Sequence, residues 1–282
     1  MTDPDGPMRP VASHALKPSR SVSPTARPRL PASRIVGLAM LLAAGIPCGI
    51  ARAASPGTAA EPVAWVGRFA QDHDAWREVR LEPDLTPNEF QYREWDGVQA
   101  LEVRSASSMS LMARPLDVDL KATPVLCWRW RVAASIAEAD MRQRQGDDYA
   151  ARVYVSFELP DATMSFGLKA RLALARAVWG PDLPDAAVNY VWDNRNPPGT
   201  EQANAYTDRA MMVVLRTGDA EAGQWVWERR NVNTDVSRLF VPGARAVQLA
   251  VTADTDNTGT SAHAGFADFH FVQEGSPCRA PS

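Results

Sequence analysis

A set of short period-two segments begins at Val63 and runs almost to the end of the chain, and it limits the fold more than any other feature. In Ala151-Arg-Val-Tyr-Val-Ser-Phe-Glu158 and in Val125-Leu-Cys-Trp-Arg-Trp-Arg-Val132, inward-type and outward-type residues alternate. Successive side chains of a strand point to opposite faces, so this period marks strands with one buried face. Segments 89–95 and 98–104 flank Asp96-Gly97, a strong signal for a two-residue hairpin turn. Segments 189–193, 224–232, 246–252 and 265–272 extend the series, and 209–216, apolar on both faces, is predicted to be a central strand. Gly, Pro, Asp and Asn separate them. The spacing predicts an all-β chain, a two-sheet jelly-roll-like sandwich over 63–273. One insertion near 164–178 has apolar residues at helical spacing and is stopped by Trp179-Gly180-Pro181. A short helical turn to Phe240 starts at Thr234 or Asp235, with Asp235 as its cap.

The first 62 residues lack this pattern. An uncharged run, 35–46, follows basic residues up to Arg34, and Ala51-Arg52-Ala53 fits a small-x-small cleavage site. This is the three-part layout of a signal peptide. The run is shorter than the roughly 20 apolar residues that span a bilayer. Residues 1–53 therefore read as a disordered extension with a signal peptide, 54–62 as a linker and 274–282 as a flexible tail. The mature part is expected to be soluble, not membrane-spanning, and periplasmic or secreted. Pro47 directly before Cys48 argues against lipid attachment. Export would permit a disulfide between Cys127 and Cys278, which the sequence leaves open.

The formal net charge is −3, with seven basic and two acidic residues in 1–53, so the remainder carries 23 basic and 31 acidic groups. An acidic body repels phosphate backbones, which weighs against nucleic acid as a partner. Strand parity sorts the side chains of that body. Leu126, Trp128, Trp130, Val132, Val153, Val155, Phe157, Tyr190, Trp192, Trp225, Trp227, Val247, Leu249, Val251, Phe269 and Phe271 are expected in the core. Arg129, Arg131, Arg152, Tyr154, Glu158, Asn189, Asp193, Glu228, Arg230 and His270 or Asp268 fall on the other parity. They are either a solvated face with ion pairs or one concave polar face for a hydroxyl-rich or anionic ligand, since the planar fork of arginine suits both.

Several short motifs sharpen the second choice. Asp147 and Asp148 stand at the mouth of the 151–158 strand, where they are either turn residues or ligands for a cation or sugar. Trp192 and Asp193 are delivered to a loop rim. Asp147, Asp148, Arg152, Tyr154, Trp192, Asp193, Glu228 and Arg230 are therefore the candidate ligand-binding set. Asp254-Thr-Asp256-Asn257-Thr-Gly259 resembles the opening of a calcium loop, so Asp254 and Asp256 are the candidate metal ligands and calcium the candidate cofactor. Position twelve of an EF-hand loop needs Glu and here is Gly265, so a site there is of another type, and a plain hairpin loop is the alternative. No nucleophile elbow, Walker loop or dinucleotide fingerprint occurs, and the four histidines lack metal-ligand spacing. Two carboxylate pairs, Glu158 with Asp193 and Asp147 with Glu228, are the candidates for glycoside chemistry, which needs about 5–10 Å between carboxyl groups.

The stretch from Gly146 to Val155, Tyr190-Val-Trp-Asp-Asn194 with Gly199-Thr200, Trp225 through Asp235, Asp254 through Gly259 and Ala267-Asp-Phe-His-Phe271 together resemble a bacterial family known as domain of unknown function 3047. The resemblance covers about 65–272. It implies an exported, jelly-roll-like domain and assigns no catalytic residue. The Trp-rich sandwich is also similar in fold type to carbohydrate-binding modules. Three functions stay open at this point: a non-catalytic binding domain for a carbohydrate or cell-envelope glycan, a polysaccharide hydrolase or lyase, and a structural or interaction protein of the envelope.

Overall fold

A computed structural model describes residues 63–81, 84–179 and 183–280, with no account of the side chains at 175, 178 and 179. The signal-peptide and linker expectations for 1–62 lie outside the described residues. Among the described residues, no helix is long and apolar enough to cross a membrane.

Among the described residues, thirteen strands form two sheets. The six-stranded sheet contains β1 (Val63–Gly67), β3 (Glu89–Trp95), β4 (Val98–Ala106), β6 (Val125–Val132), β11 (Val226–Asn231) and β13 (Ser261–Val272). Its order is β11-β6-β13-β4-β3, and β1 pairs with the far half of β13. The seven-stranded sheet contains β2 (Arg77–Val79), β5 (Leu111–Pro115), β7 (Tyr149–Glu158), β8 (Ala186–Asp193), β9 (Glu201–Ala203), β10 (Ala210–Thr217) and β12 (Arg245–Asp254). Its order is β2-β5-β12-β7-β8-β10-β9. All pairings are antiparallel except β8 with β10. The helical insertion is α1 (Phe166–Trp179), between β7 and β8. The all-β sandwich with one helical insertion is thus the observed architecture.

The two sheets meet over a core of Leu126, Trp128, Trp130 and Val132 from β6, Val153, Val155 and Phe157 from β7, Tyr190 and Trp192 from β8, and Phe266, Phe269 and Phe271 from β13. Trp128 stacks on Phe269 at 6.2 Å, and Trp130 meets Trp192 at 5.7 Å with the rings tilted by 57°. Cys127 and Cys278 form a disulfide that ties the segment after β13 to β6.

Four expectations change. First, β10 is one strand from the sheet edge, not central. It is apolar on both faces because Val213 enters the inter-sheet core, while Met212 and Val214 pack outward with Met141, Tyr149 and Val191 under the 133–148 segment. Second, β11 is turned over relative to the expected parity. It pairs with β6 so that Val226 opposes Trp130, Glu228 opposes Trp128 and Arg230 opposes Leu126. Directly opposed residues share a face. Glu228 and Arg230 therefore point inward, and Trp225 and Trp227 point out. Third, a bulge between Ala246 and Gln248 buries Ala246 and leaves Val247 half-buried. Fourth, the second helix, α2 (Val232–Leu239), is capped by Asn231, whose side chain accepts from the Thr234 amide at 2.9 Å. Asp235 lies inside its first turn.

Candidate functional site

Because β11 is inverted and the arginines are divided between sheets, the expected polar set does not share one face. Arg129 and Arg131 lie on the outer face of the six-stranded sheet, Arg152 on the outer face of the seven-stranded sheet, and Arg230 at the seam between them. The single concave Arg-rich face expected from parity is therefore corrected to two separate faces and a seam.

The seven-stranded face brings together six of the expected residues. Arg152 and Tyr154 point outward from β7, beside Val191 and Asn189 of β8 and Thr252 and Ala250 of β12. The guanidinium of Arg152 lies 3.0 Å from Asp254 Oδ2 and 3.9 Å from Asp147 Oδ2, over the rings of Tyr149 and Tyr154. Asp147 also accepts from Tyr149 Oη at 3.1 Å and from Asn204 Nδ2 at 2.6 Å. Asp148 accepts from the Thr258 amide at 2.7 Å, the Thr258 hydroxyl at 2.5 Å and the Asn257 amide at 3.3 Å. Asp256 joins Asp148 and Asp254 within this group. Of the six expected residues, all but Tyr154 and Asp256 are buried. The 133–148 segment covers this face through Met141, and Tyr206 reaches the Arg144 carbonyl at its rim. Arg152 therefore sits beneath a cover and presents no open ligand surface. Burial raises the pKa of Asp148, against the hydrogen bonds from Thr258 and Asn257.

The remaining candidates go elsewhere. Trp192 is in the core and donates Nε1–H to the Gly218 carbonyl at 2.9 Å. Asp193 accepts from the Arg195 and Asn196 amides at 2.7 and 2.6 Å and shapes the loop that follows β8. Glu228 accepts from Trp130 Nε1 at 3.0 Å and Arg216 Nε at 2.6 Å. Arg230 forks onto Asp235, which also accepts from Tyr190 Oη at 2.8 Å. The carboxylate pairs dissolve as well. Phe157 pairs with Ala186, so Glu158 lies level with the residue before β8 and Asp193 at the far end of β8, about 26 Å away at ~3.3 Å per residue. Asp147 and Glu228 lie on opposite sides of the seven-stranded sheet.

The outer face of the six-stranded sheet holds a different arrangement. Trp95 stacks on His263 at 4.6 Å with an interplanar angle of 16°, and meets Trp225 edge-on at 6.0 Å. Arg131 lies over Trp95 at 4.2 Å and Trp225 at 5.7 Å. Gly265 sits beneath this pair: a Cβ there would lie 2.9 Å from Trp225 and 3.0 Å from Trp95. Further along, Arg129 covers Trp227 at 5.0 Å and is ion-paired to Asp268. The Trp227 ring is on the surface, 37% exposed. Behind His263, Glu102 is buried and accepts from His263 at 2.6 Å, Arg104 at 2.7 Å and Arg93 at 3.2 Å. Burial pushes its pKa up, and these three donors outweigh that and hold it below the usual value. A groove of about 520 Å³ opens beside this ladder, lined by Glu89, Arg104, Ala134, Ser261 and His263 among others.

The family model described as Protein of unknown function (DUF3047) matches residues 74–270, which hold both faces and all thirteen strands except β1 and the end of β13. The chain belongs to the DUF3047 family. No curated protein matches this DUF3047 chain. Among solved structures, it is similar to the xyloglucanase domain of NopAA, a type three effector from Sinorhizobium fredii, in complex with cellobiose. That likeness has 8% identity and a TM-score of 0.36, and covers 70% of this chain and 92% of the other.

The candidate sets leave out Tyr149, Asn204 and Thr258 of the covered cluster and Trp95 and His263 of the open face, while parity does place Asn189 on the outward face with Tyr154. Asn204 and Thr258 arrive from loops, where no periodicity reports direction.

Proposed function

We propose that this DUF3047 chain is an exported, non-catalytic binding domain for a carbohydrate or cell-envelope glycan, held on the outer face of the six-stranded sheet. The observation that carries the reading is the outward turn of β11, which puts Trp225 and Trp227 outside with Arg131 and Arg129 over them, while Glu228 takes the inward place. Indole faces offer amphipathic stacking surfaces, and arginine forks offer several donors to neighbouring hydroxyls. The groove at His263 falls within the roughly 300–1,000 Å³ of small-ligand sites. Export rests on the uncharged run at 35–46 and the Ala51-Arg52-Ala53 site.

A glycan array, followed by isothermal titration of the full chain with the oligosaccharides that bind, tests the reading. Trp227→Ala and Trp95→Ala should each weaken binding by about tenfold or more, as expected for aromatic anchors. Trp227→Ala should leave the melting temperature close to that of the parent, because the ring is partly in water. Absence of binding to any glycan, or binding indifferent to both substitutions, would remove the proposal.

A further inference from the structure

We propose that Asp148, Asp254 and Asp256 bind a hard divalent cation of the calcium class on the covered face of the seven-stranded sheet. One carboxylate oxygen from each lies within 4.8 Å of the other two. Oxygens that share one calcium ion at 2.3–2.6 Å can be at most about 5 Å apart, so three such oxygens fit a single coordination sphere. They come from two distant stretches, the mouth of β7 and the end of β12 with the turn after it, which the Thr258 and Asn257 bonds to Asp148 hold together.

A second observation is independent of this convergence. Asp254 is 3% exposed, its Oδ2 is taken by Arg152, and its Oδ1 is buried with no hydrogen-bond donor. A buried carboxylate oxygen left without a donor or cation is costly. The Tyr154 hydroxyl is likewise buried without a partner. The local charges are also unbalanced. Among the described residues, Asp147, Asp148 and Asp254 are buried and Asp256 half-buried, and the guanidinium ion-paired within this group is that of Arg152, with Asp147 and Asp254. A hard divalent ion would give the three carboxylates one shared partner, including Asp254, whose Oδ1 is buried without a donor. The cation would fasten the β12–β13 turn to the mouth of β7 and complete the cover over Arg152.

The test uses the full chain, stripped with chelator and then titrated with calcium chloride. Calorimetry should show one saturable site, and terbium should bind there with luminescence sensitised by the nearby tyrosines and displaced by calcium. At a hundredfold excess over Kd, the melting temperature should rise by about 5–10 °C. Asp256→Asn, at the half-buried and most tolerant of the three positions, should fold and lose the calcium-dependent rise. Asp193→Asn, whose carboxylate binds its own loop, should keep it. No calcium or terbium binding by the parent chain, or a calcium response that Asp256→Asn retains in full, would overturn the proposal. Neither outcome depends on whether a glycan binds the opposite sheet.

Discussion

Asp235→Ala removes the carboxylate at which three elements meet. Tyr190 Oη from β8 donates to Asp235 at 2.8 Å, Arg230 from β11 at 2.8–3.1 Å and Arg238 from α2 at 3.1 Å. These contacts do not contribute equally. Tyr190 is 0% exposed, so its hydroxyl loses its acceptor where water cannot replace it, at about 1–3 kcal/mol. The side chains of Arg230 and Arg238 remain 30% and 44% exposed, so solvent takes over much of their pairing and they add only about 1 kcal/mol together. The expected loss is about 2–4 kcal/mol, or a fall of roughly 5–15 °C in melting temperature for a domain of this size. Urea denaturation followed by tryptophan fluorescence measures it, with the slope unchanged. Tyr190→Phe separates the terms: it should be costly in the parent and nearly neutral in the Asp235→Ala background. A loss below about 0.5 kcal/mol, or an equal cost of Tyr190→Phe in both backgrounds, would show that the buried hydroxyl does not carry the effect.

Two further outcomes follow from neighbouring features. Cys278→Ser opens a link spanning 151 residues and should lower stability by about 2–5 kcal/mol in non-reducing denaturation, with dithiothreitol producing the same change in the parent. Burial raises the pKa of Glu228, which Arg216 and Trp130 only partly oppose. The folded chain then holds a proton that the unfolded chain releases near pH 4.5, so this contribution is full below that pH and is lost as pH rises through the higher folded value. The stability of the parent relative to Glu228→Gln should therefore fall between acid and neutral pH in paired denaturation curves. A difference that grows with pH would contradict the burial argument.

Period-two alternation made most of the sandwich legible, because β6, β7, β8 and β13 each bury one clean face. The Asp96-Gly97 turn likewise located the β3–β4 hairpin. What failed was facing. Tryptophan outranks glutamate for burial, so Trp225 and Trp227 read as core, but the β11–β6 register decides the face and Arg216 neutralises the glutamate that it brings inside. Parity also cannot say which sheet a strand joins, and so Arg129 and Arg152 read as neighbours while lying on different sheets. Asp147, Asp148, Arg152, Tyr154, Asp254 and Asp256 were found one by one from loop and strand chemistry. Their convergence depends on β12 lying beside β7, a pairing between residues about a hundred positions apart. The strands β2 and β9 are three residues each, too short to show a period.

The polar seam gives the sandwich an uneven grain. Along most of their area the sheets adhere through aromatic rings, which hold wherever they are pressed together. Between β10 and β11 the joint instead runs through Glu221, Arg216 and Glu228, then Asp235, Arg230, Arg238 and Glu201, whose bonds are directional and soften as ions screen them. β11 is also a terminal strand, bonded on one side only. Transient breathing should begin there, at a free energy below that of global unfolding, and should expose the amides of 226–231 to deuterium before those of β6 or β13.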